Sequence, residues 1–421
     1  MKKFSVHQLE KIGHFLMFLL LLEAFLPLWR NMIIGDFDPV EGDPTRRTML
    51  LVGYLGLLPF LMLSPQKAIS RIIQTPLPWL LAILAILSIL WSGVPDLTFR
   101  RSIAILLTTT YGLTLAVRLS FDEFLDILGW ALLVCLISSI FMVIFIPDWG
   151  IGTYRGENAW RGIFSHKNSL GNKAALSFLV MLTLWLRTNK KLWKRWVWGI
   201  GIILAVFLLV GSNSATGLVL FFVMLVGFIL LHFLRMLRLS LQIVLPPILI
   251  LGGLVAVVLV ENFEAILVFL ERGATMTGRI PLWQNIIPLA VDRFWLGYGL
   301  NSFWLGWEGP SAQIWAVSGW QPGYAHNGYL DLWLSLGIIG LTLGVILLFY
   351  LLIYSFYFYI IKRLDTQFWI LFLIFVFLLN FSEGTLLRSN SIWWVMIVYF
   401  ASMIKIRVKP KPELSMGLLD R

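Results

Sequence analysis

Charged residues are scarce in this chain. Of its 421 residues, only 13% are Asp, Glu, Lys or Arg, whereas 59% are hydrophobic. A soluble domain is about a quarter charged and about half apolar, so this composition excludes an ordinary soluble protein. Cysteine is nearly absent, because the single Cys135 lies inside an apolar run. One cysteine excludes a disulfide within the chain and a cysteine-rich metal site.

The familiar motifs that handle phosphate and metal are missing too. The sequence has no G-x-x-x-x-G-K-[ST] loop, no H-E-x-x-H and no Asp-rich pair with metal-bridging spacing. We therefore expect no obligatory divalent metal and no cofactor. The net charge of +11 would suggest nucleic acid in a soluble protein. Here Lys and Arg anchor helix ends instead, so we expect no nucleic-acid partner.

Long apolar runs dominate the sequence. A bilayer core about 30 Å thick needs roughly 20 apolar residues per helix. Suitable runs lie near 12–30, 48–64, 77–92, 101–118, 125–146, 168–187, 196–211, 217–234, 241–260, 329–361, 366–382 and 391–406. They predict an all-α polytopic bundle of about 12 transmembrane helices, a single integral membrane domain over 1–421. No cleavage site follows the first run, so we interpret it as an uncleaved helix.

The distribution of basic residues predicts the orientation. With the N-terminus inside, 20 of the 33 Lys and Arg residues fall in inner segments, and cytoplasmic loops carry such an excess. Both termini are then cytoplasmic, and a large loop at 262–328, between the ninth and tenth helices, lies outside. This loop is rich in tryptophan, so we predict short helices over the membrane surface. We expect most of these rings to anchor the loop at the membrane interface. The alternative is that one or two of them stack on carbohydrate.

Basic residues remain in the outer segments although the positive-inside rule disfavours them there. Two groups stand out: Arg155, Arg161, Lys167 and Lys173, and then Arg272, Arg279 and Arg293 in the large loop. Such residues usually have an anionic partner. That partner is either an outer acid such as Glu157, Glu271 or Asp292, or a substrate.

The first stretch that suggests chemistry is Arg161-Gly162-Ile163-Phe164-Ser165-His166-Lys167-Asn168, at the start of the sixth helix. We predict Ser165 as the N-cap, so that the helix N-terminus points outward. A helix N-terminus with Arg161, Lys167 and Lys173 forms an anion site. The alternative is a capped helix with charges at the membrane interface.

Two further stretches lie in the large loop. Thr277-Gly278-Arg279, followed by Trp283, supplies a guanidinium that can grip a phosphate with two hydrogen bonds, or pair with an acid. His326-Asn327-Gly328-Tyr329-Leu330 precedes the tenth helix. Histidine suits proton transfer near neutral pH, and only His166 and His326 lie outside in this topology. A structural role is the alternative for both.

Three other charged residues need an interpretation. Glu23 is placed midway through the first helix, where an acid is a candidate functional residue. We favour a polar contact between helices. Glu383 and Arg388, in the last outer loop, are interpreted as a local salt bridge.

Taken in this order, the three stretches resemble the O-antigen ligase family, which includes O-antigen and exopolysaccharide polymerases. The resemblance rests on Gly162-x-Phe164-x-His166-Lys167-Asn168, on Thr277-Gly278-Arg279 with Trp283, and on His326-Asn327-Gly328-Tyr329-Leu330 leading into Gly337-Ile338-x-Gly340. It spans nearly the whole chain in general plan. The His166-Lys167-Asn168 form is most similar to the exopolysaccharide-polymerase branch.

The resemblance implies transfer of a glycan from an undecaprenyl-pyrophosphate carrier to a glycan or lipid acceptor at the outer face of a bacterial cytoplasmic membrane. It implies His326 as the base, and Arg279 and Arg161 as the groups that hold the pyrophosphate, with Lys167 in a branch-specific role. His166, Asn327 and Trp283 are further candidate site residues. The sequence does not distinguish a polymerase from a ligase.

A different class of function is a transporter of a small anion such as bicarbonate. Transporters keep ionisable residues and broken helices near the midplane. Here Glu23 and Pro246-Pro247 are the clearest such features, whereas the remaining charge lies in outer loops. That distribution favours surface chemistry on a lipid-linked substrate.

Overall fold

The computed structural model describes residues 6–25, 43–154, 157–188, 191–237, 279–318, 320–360 and 365–404. The helices are α1 Val6–Leu21, α2 Pro44–Leu57, α3 Pro65–Gln74, α4 Leu77–Leu87, α5 Pro95–Arg118, α6 Phe121–Phe145, α7 Pro147–Gly150, α8 Lys167–Arg187, α9 Leu192–Gly211, α10 Ala215–Met236, α11 Arg279–Asp292, α12 Ala312–Ser318, α13 Gly328–Ile360, α14 Asp365–Leu379 and α15 Ile392–Met403. The strands β1 Ile151–Tyr154 and β2 Glu157–Trp160 form one antiparallel hairpin.

The described helices form an all-α membrane bundle, as predicted. Six are long and apolar enough to cross a membrane, or seven if one bent pair is a single span, and α14 and α15 are shorter apolar helices. The predicted span at 241–260 lies outside the described residues, and the number twelve stays a prediction. Gly112 lets α15 approach α5 closely, because a Cβ there would lie 2.7 Å from Val398.

One predicted span follows a sharp bend, and another is broken. The third predicted span, 77–92, begins with α4, and a bend of 87° separates it from the preceding α3. The tenth corresponds to α13, which is broken at Leu336 and Gly337. The segment around Trp295 fills that break: the N–H of Ile338 donates to the carbonyl of Phe294 at 2.8 Å. A Cβ at residue 337 would lie 2.0 Å from the Trp295 carbonyl oxygen, so this close approach requires glycine.

Ion pairs hold together the helices that meet at one end of the bundle. Arg118 at the end of α5 donates two hydrogen bonds to Glu10 of α1, at 2.8 and 2.9 Å. Arg187 at the end of α8 pairs with Asp122 of α6 and Asp365 of α14. These helix ends share one side, as the predicted alternation of inner and outer segments requires.

Glu23 lies at the opposite end, and its predicted position midway through the first helix is wrong. Helix α1 ends at Leu21, and Glu23 follows in a turn with a φ of 61°. Its carboxylate lies 3.4 Å from Arg46, 3.6 Å from Lys173 and 3.9 Å from Arg388. Burial raises the pKa of Glu23, but these three cations lower it to about 2. The helix therefore ends where its acid meets cations from three other elements.

The described part of the large loop is partly helical, as predicted, and has its own small core. Leu282 and Ile286 of α11 pack with Phe303, Ile314 and Leu334, and several tryptophan rings surround them. This core sits on the first turns of α13. It gives the residues that precede α13 a fixed support.

Candidate functional site

His326 occupies a constrained position immediately before α13. Its φ of 50° lies in the left-handed region, which costs free energy for a residue other than glycine. Asn327 follows it and caps α13: its Oδ1 accepts hydrogen bonds from the N–H groups of Tyr329 at 3.0 Å and Leu330 at 3.2 Å. Asn327, a further candidate site residue in the sequence, therefore uses its amide oxygen to hold the helix start.

The residue before His326 is fixed as well. The indole N–H of Trp283 in α11 donates to the carbonyl of Ala325 at 2.8 Å. The N–H of Ala325 donates to Asp331 at 2.9 Å, and Asp331 also accepts from Trp304 at 2.9 Å. Trp283 thus contributes by positioning the loop. The strained backbone of His326 is held by bonds on both sides.

The imidazole of His326 lies among aromatic rings and near positive charge. Its ring centroid is 3.9 Å from that of Tyr324 and 5.6 Å from that of Trp320. Burial, followed by the charges of Arg279 and His166, lowers the pKa of His326 to about 4. Its Nδ1 is buried and has no hydrogen-bond partner among the described residues. A buried unsatisfied nitrogen is costly, so this atom is suited to accept a proton from a ligand.

His166 and Lys167 lie at the start of helix α8, near His326. The predicted cap is wrong, since His166 rather than Ser165 caps the helix: its Nδ1 accepts from the N–H of Asn168 at 3.1 Å. An accepting Nδ1 leaves the hydrogen of the neutral ring on Nε2, which can donate to an anion. Burial and the charges of Lys167 and Arg279 lower the pKa of His166. The Lys167 ammonium lies 5.4 Å from the centre of the Tyr154 ring.

The two arginines that were predicted to hold the pyrophosphate, Arg279 and Arg161, make different contacts. The charge of Arg279, at the start of α11, lowers the pKa values of both His326 and His166, so the three side chains share one neighbourhood. Among the described residues Arg279 forms no ion pair, with Asp292 or any other acid, and the other predicted partner, Glu271, lies outside the described residues. Arg161 instead donates from Nε to the carbonyl of Trp149 at 2.9 Å. This bond connects the short helix α7 to the segment that follows the hairpin. Arg155 and residues 238–278, which include Arg272, lie outside the described residues.

Tyr324 connects this neighbourhood to the last outer loop. Its hydroxyl donates to Glu383 at 3.0 Å. The predicted salt bridge between Glu383 and Arg388 is wrong, because Arg388 reaches Glu23 and the carbonyl of Gly384. Burial raises the pKa of Glu383, and burial with the Glu383 charge raises that of Tyr324.

Sequence reasoning missed a large cavity that Tyr324 helps to line. Its volume is about 560 Å³, and it is bounded by α2, α5, the 300–304 segment, the start of α13 and the 384–390 loop. Its basic lining residues are Arg46, Arg47, Arg100, Arg101 and Arg388. The signal was present as two adjacent arginine pairs in predicted outer segments. The sequence alone does not reveal that the two pairs face one space.

Carboxylates and histidines do not gather into a metal site within the part of the chain that the structure describes. No group of three or more His, Cys, Asp or Glu side chains there could hold a metal ion. The positive charge around His326 comes from Arg279, with Lys167 beside His166. The arrangement can therefore bind an anion next to a neutral imidazole.

Comparison with known proteins places this site in a family context. Residues 200–345 match the O-antigen ligase family. The chain is also similar to the exopolysaccharide production protein ExoQ of Rhizobium meliloti (strain 1021), with 27% identity over 309 residues, 70% of this chain and 68% of that protein. The matched family segment contains Arg279 and His326, whereas Arg161, His166 and Lys167 precede it.

Proposed function

We propose that the chain is a member of the O-antigen ligase and polymerase family, which its similarity to that family over residues 200–345 and to ExoQ supports, and that it transfers a glycan from an undecaprenyl-pyrophosphate carrier to a glycan or lipid acceptor. The observation that carries the proposal is the buried, unpartnered Nδ1 of His326 beside the charge of Arg279. A base next to an anion site is what attack on a sugar diphosphate needs.

In the proposed reaction, an acceptor hydroxyl attacks the anomeric carbon of the donor glycan. The new bond joins the acceptor oxygen to that carbon, while the bond from the carbon to the carrier diphosphate breaks. His326 takes the hydroxyl proton, and the diphosphate leaves with the electron pair. Arg279, Lys167 and the Nε2–H of His166 offset its developing charge. A single displacement inverts the anomeric centre.

The low pKa of His326 has a role in this reaction. In the free enzyme His326 has a pKa of about 4, so its imidazole is neutral at physiological pH but is a weak base. A bound diphosphate offsets the charge of Arg279, and a nearby anion raises the pKa of a histidine. Substrate binding therefore moves the base toward the pKa at which general-base catalysis is most effective.

We expect purified protein to transfer glycan from a lipid-diphosphate donor in the presence of a chelator, at the rate seen without it. The physical reason is that guanidinium and ammonium groups supply the charge that a metal would otherwise supply. The measurements are the rate of glycan transfer in vitro and the length of the glycan product. Loss of activity that magnesium or manganese restores would reveal a missed carboxylate site. Bicarbonate movement across vesicles without any transfer would favour the transporter.

The proposed orientation puts His326 outside the cytoplasm. Cys135 is buried in α6, so replacing it with alanine gives a background without reactive cysteine. In that background, we expect Trp307→Cys to be labelled from outside by a membrane-impermeant maleimide and Lys191→Cys only after the membrane is opened. Trp307 is exposed in the large loop, and Lys191 lies beside the ion-paired end of the bundle. Labelling of both from the same side would overturn the orientation.

A further inference from the structure

Helix α3 lies across the direction of the helix that follows it. The bend between α3 and α4 is 87°. Helix α4 packs along α5 and α13 and reaches the side of the bundle that carries His326. There the indole N–H of Trp91 donates to the carbonyl of Leu296 at 3.0 Å, and Ser88 accepts from the N–H of Leu300 at 3.0 Å. Because α4 runs through the bundle to that side, α3 lies close to the membrane plane at the other end.

This other end is the one held by ion pairs. Helix α3 packs against α15. The charges of Arg71 in α3, Asp122 and Asp365 all act on Tyr399 of α15, so these groups are neighbours. Both acids pair with Arg187 at the ion-paired end. The proposed orientation makes this the cytoplasmic surface.

Helix α3 has an apolar and a polar face. Successive residues of an α-helix are about 100° apart. The apolar face therefore carries Ala68, Ile69, Ile72 and Ile73, and the polar face carries Gln66, Lys67, Ser70, Arg71 and Gln74.

Only part of the apolar face is covered by the protein. Ala68 is buried, whereas Ile69 and Ile73 are 58% and 72% exposed. Met62 and Leu63, which precede the helix, are exposed as well and extend the same apolar surface. An exposed apolar face on a helix that lies in the membrane plane is suited to enter the layer of acyl chains.

The two cations of α3 have no acid beside them. The sequence contains no Asp or Glu between Asp43 and Asp96. Lys67 and Arg71 lie one turn apart on the polar face, and neither forms an ion pair with the residues that the structure describes. The buried Nη1 of Arg71 has no hydrogen-bond partner among those residues either.

Other cations at the same end of the bundle are compensated. Lys11 lies 2.6 Å from Glu123, and Lys194 lies 2.9 Å from Asp126. The charge of α3 therefore differs from theirs, because it is available to an anion from outside the described protein.

We propose that α3 lies in the head-group layer of the membrane and binds anionic phospholipid, with Lys67 and Arg71 at the phosphate groups and Ile69 and Ile73 among the acyl chains. A helix with a basic polar face and an open apolar face binds such a surface, and each basic residue near it strengthens binding about fivefold. Since α3 continues into α4, bound lipid fixes the depth at which α4 enters the membrane. The inference does not depend on glycan transfer.

Native mass spectrometry of the full chain, released from nanodiscs of equal phosphatidylglycerol and phosphatidylcholine, measures which lipid is retained. We expect wild type to retain phosphatidylglycerol in preference, and Lys67→Gln with Arg71→Gln to lower that preference at least about fivefold. Lys67→Arg with Arg71→Lys keeps both charges and should keep the preference.

A second control removes the same charge elsewhere. Lys191→Gln with Arg195→Gln neutralises two exposed cations with the same spacing at the same end, where α9 begins to cross the membrane. This variant should keep most of the preference, because α9 has no apolar face in the membrane plane beside these charges. Melting curves should show that each variant is folded.

The depth of α3 is measured with a fluorescent label in the Cys135→Ala background. Residues 69 and 70 are neighbours on different faces of the helix, and both are exposed. Bimane on Ile69→Cys should be quenched by a phospholipid that carries a nitroxide high on its acyl chain. Bimane on Ser70→Cys should be quenched by iodide in the water.

Three results would overturn the proposal. An equal loss of preference in the two neutralised variants would mean that charge spread over the whole end attracts lipid. Loss in the variant that keeps both charges would mean that charge is not what binds. Absence of preference in wild type, or iodide quenching at both labelled positions, would mean that α3 lies in water.

Discussion

Replacing His326 with asparagine is expected to lower the rate of glycan transfer by a factor of about 10² to 10⁴, the usual loss when a general base is removed. Asparagine is chosen because it tolerates the left-handed backbone that His326 adopts, with a φ of 50°. The variant should therefore fold and reach the membrane in normal amounts. Alanine at the same position should lose as much activity and, in addition, some stability.

The measurement needs protein level and transfer rate from the same preparation, so that activity is expressed per folded molecule. Asn327→Ala is the matched control. It removes the cap of α13, which costs about 1 kcal/mol, but leaves the imidazole in place. We expect less Asn327→Ala protein, with a rate per molecule that falls far less than that of His326→Asn, because the imidazole is still present. A His326→Asn protein that transfers glycan at the wild-type rate per molecule would show that another residue is the base, and His166 would be tested next.

Much of the bundle follows from local sequence, because a lipid environment requires each spanning segment to satisfy its own backbone hydrogen bonds. Apolar length alone therefore located most of the described helices. It did not locate the break at Gly337, because that break depends on the Trp295 segment, 42 positions earlier in the chain, entering the helix. Glu23 was misplaced for the same reason: its partners Arg46, Lys173 and Arg388 come from distant segments.

The candidate site was likewise predictable only where local sequence determines it. His326 could be proposed from chemistry and position, since few histidines lie in predicted outer segments. The cap of α8 could not be assigned correctly, because Ser165 and His166 both have an acceptor and only the backbone geometry selects the second. The arginine-lined cavity could not be foreseen, although its two arginine pairs are visible in the sequence. It exists only where α2, α5 and the 384–390 loop meet, and no local pattern encodes that meeting.

Replacing Arg279 tests how the diphosphate is held, and we expect Arg279→Lys to lower the transfer rate by about 10²-fold. A lysine keeps the charge but loses the planar fork that binds two phosphate oxygens together, and loss of one donor to a developing oxyanion typically costs about 10² to 10³. Arg293→Lys is the matched control in the same loop, since Arg293 stacks on Tyr298 away from the histidines. Full activity of Arg279→Lys at normal protein level would contradict two-point binding of the phosphate.

The dependence of kcat/KM on pH separates the charge of Arg279 from its shape. In the free wild-type enzyme His326 has a pKa of about 4, lowered by burial, Arg279 and His166, so kcat/KM should stay level near neutral pH and fall only as the pH drops through about 4. Arg279→Gln removes a positive neighbour, which raises the pKa of His326 and moves the acid limb to higher pH. Arg279→Lys keeps that charge and should lose rate without moving the limb. An acid limb at the same pH in Arg279→Gln and wild type would mean that Arg279 does not act on the base, and the site would have to be rebuilt around a different cation.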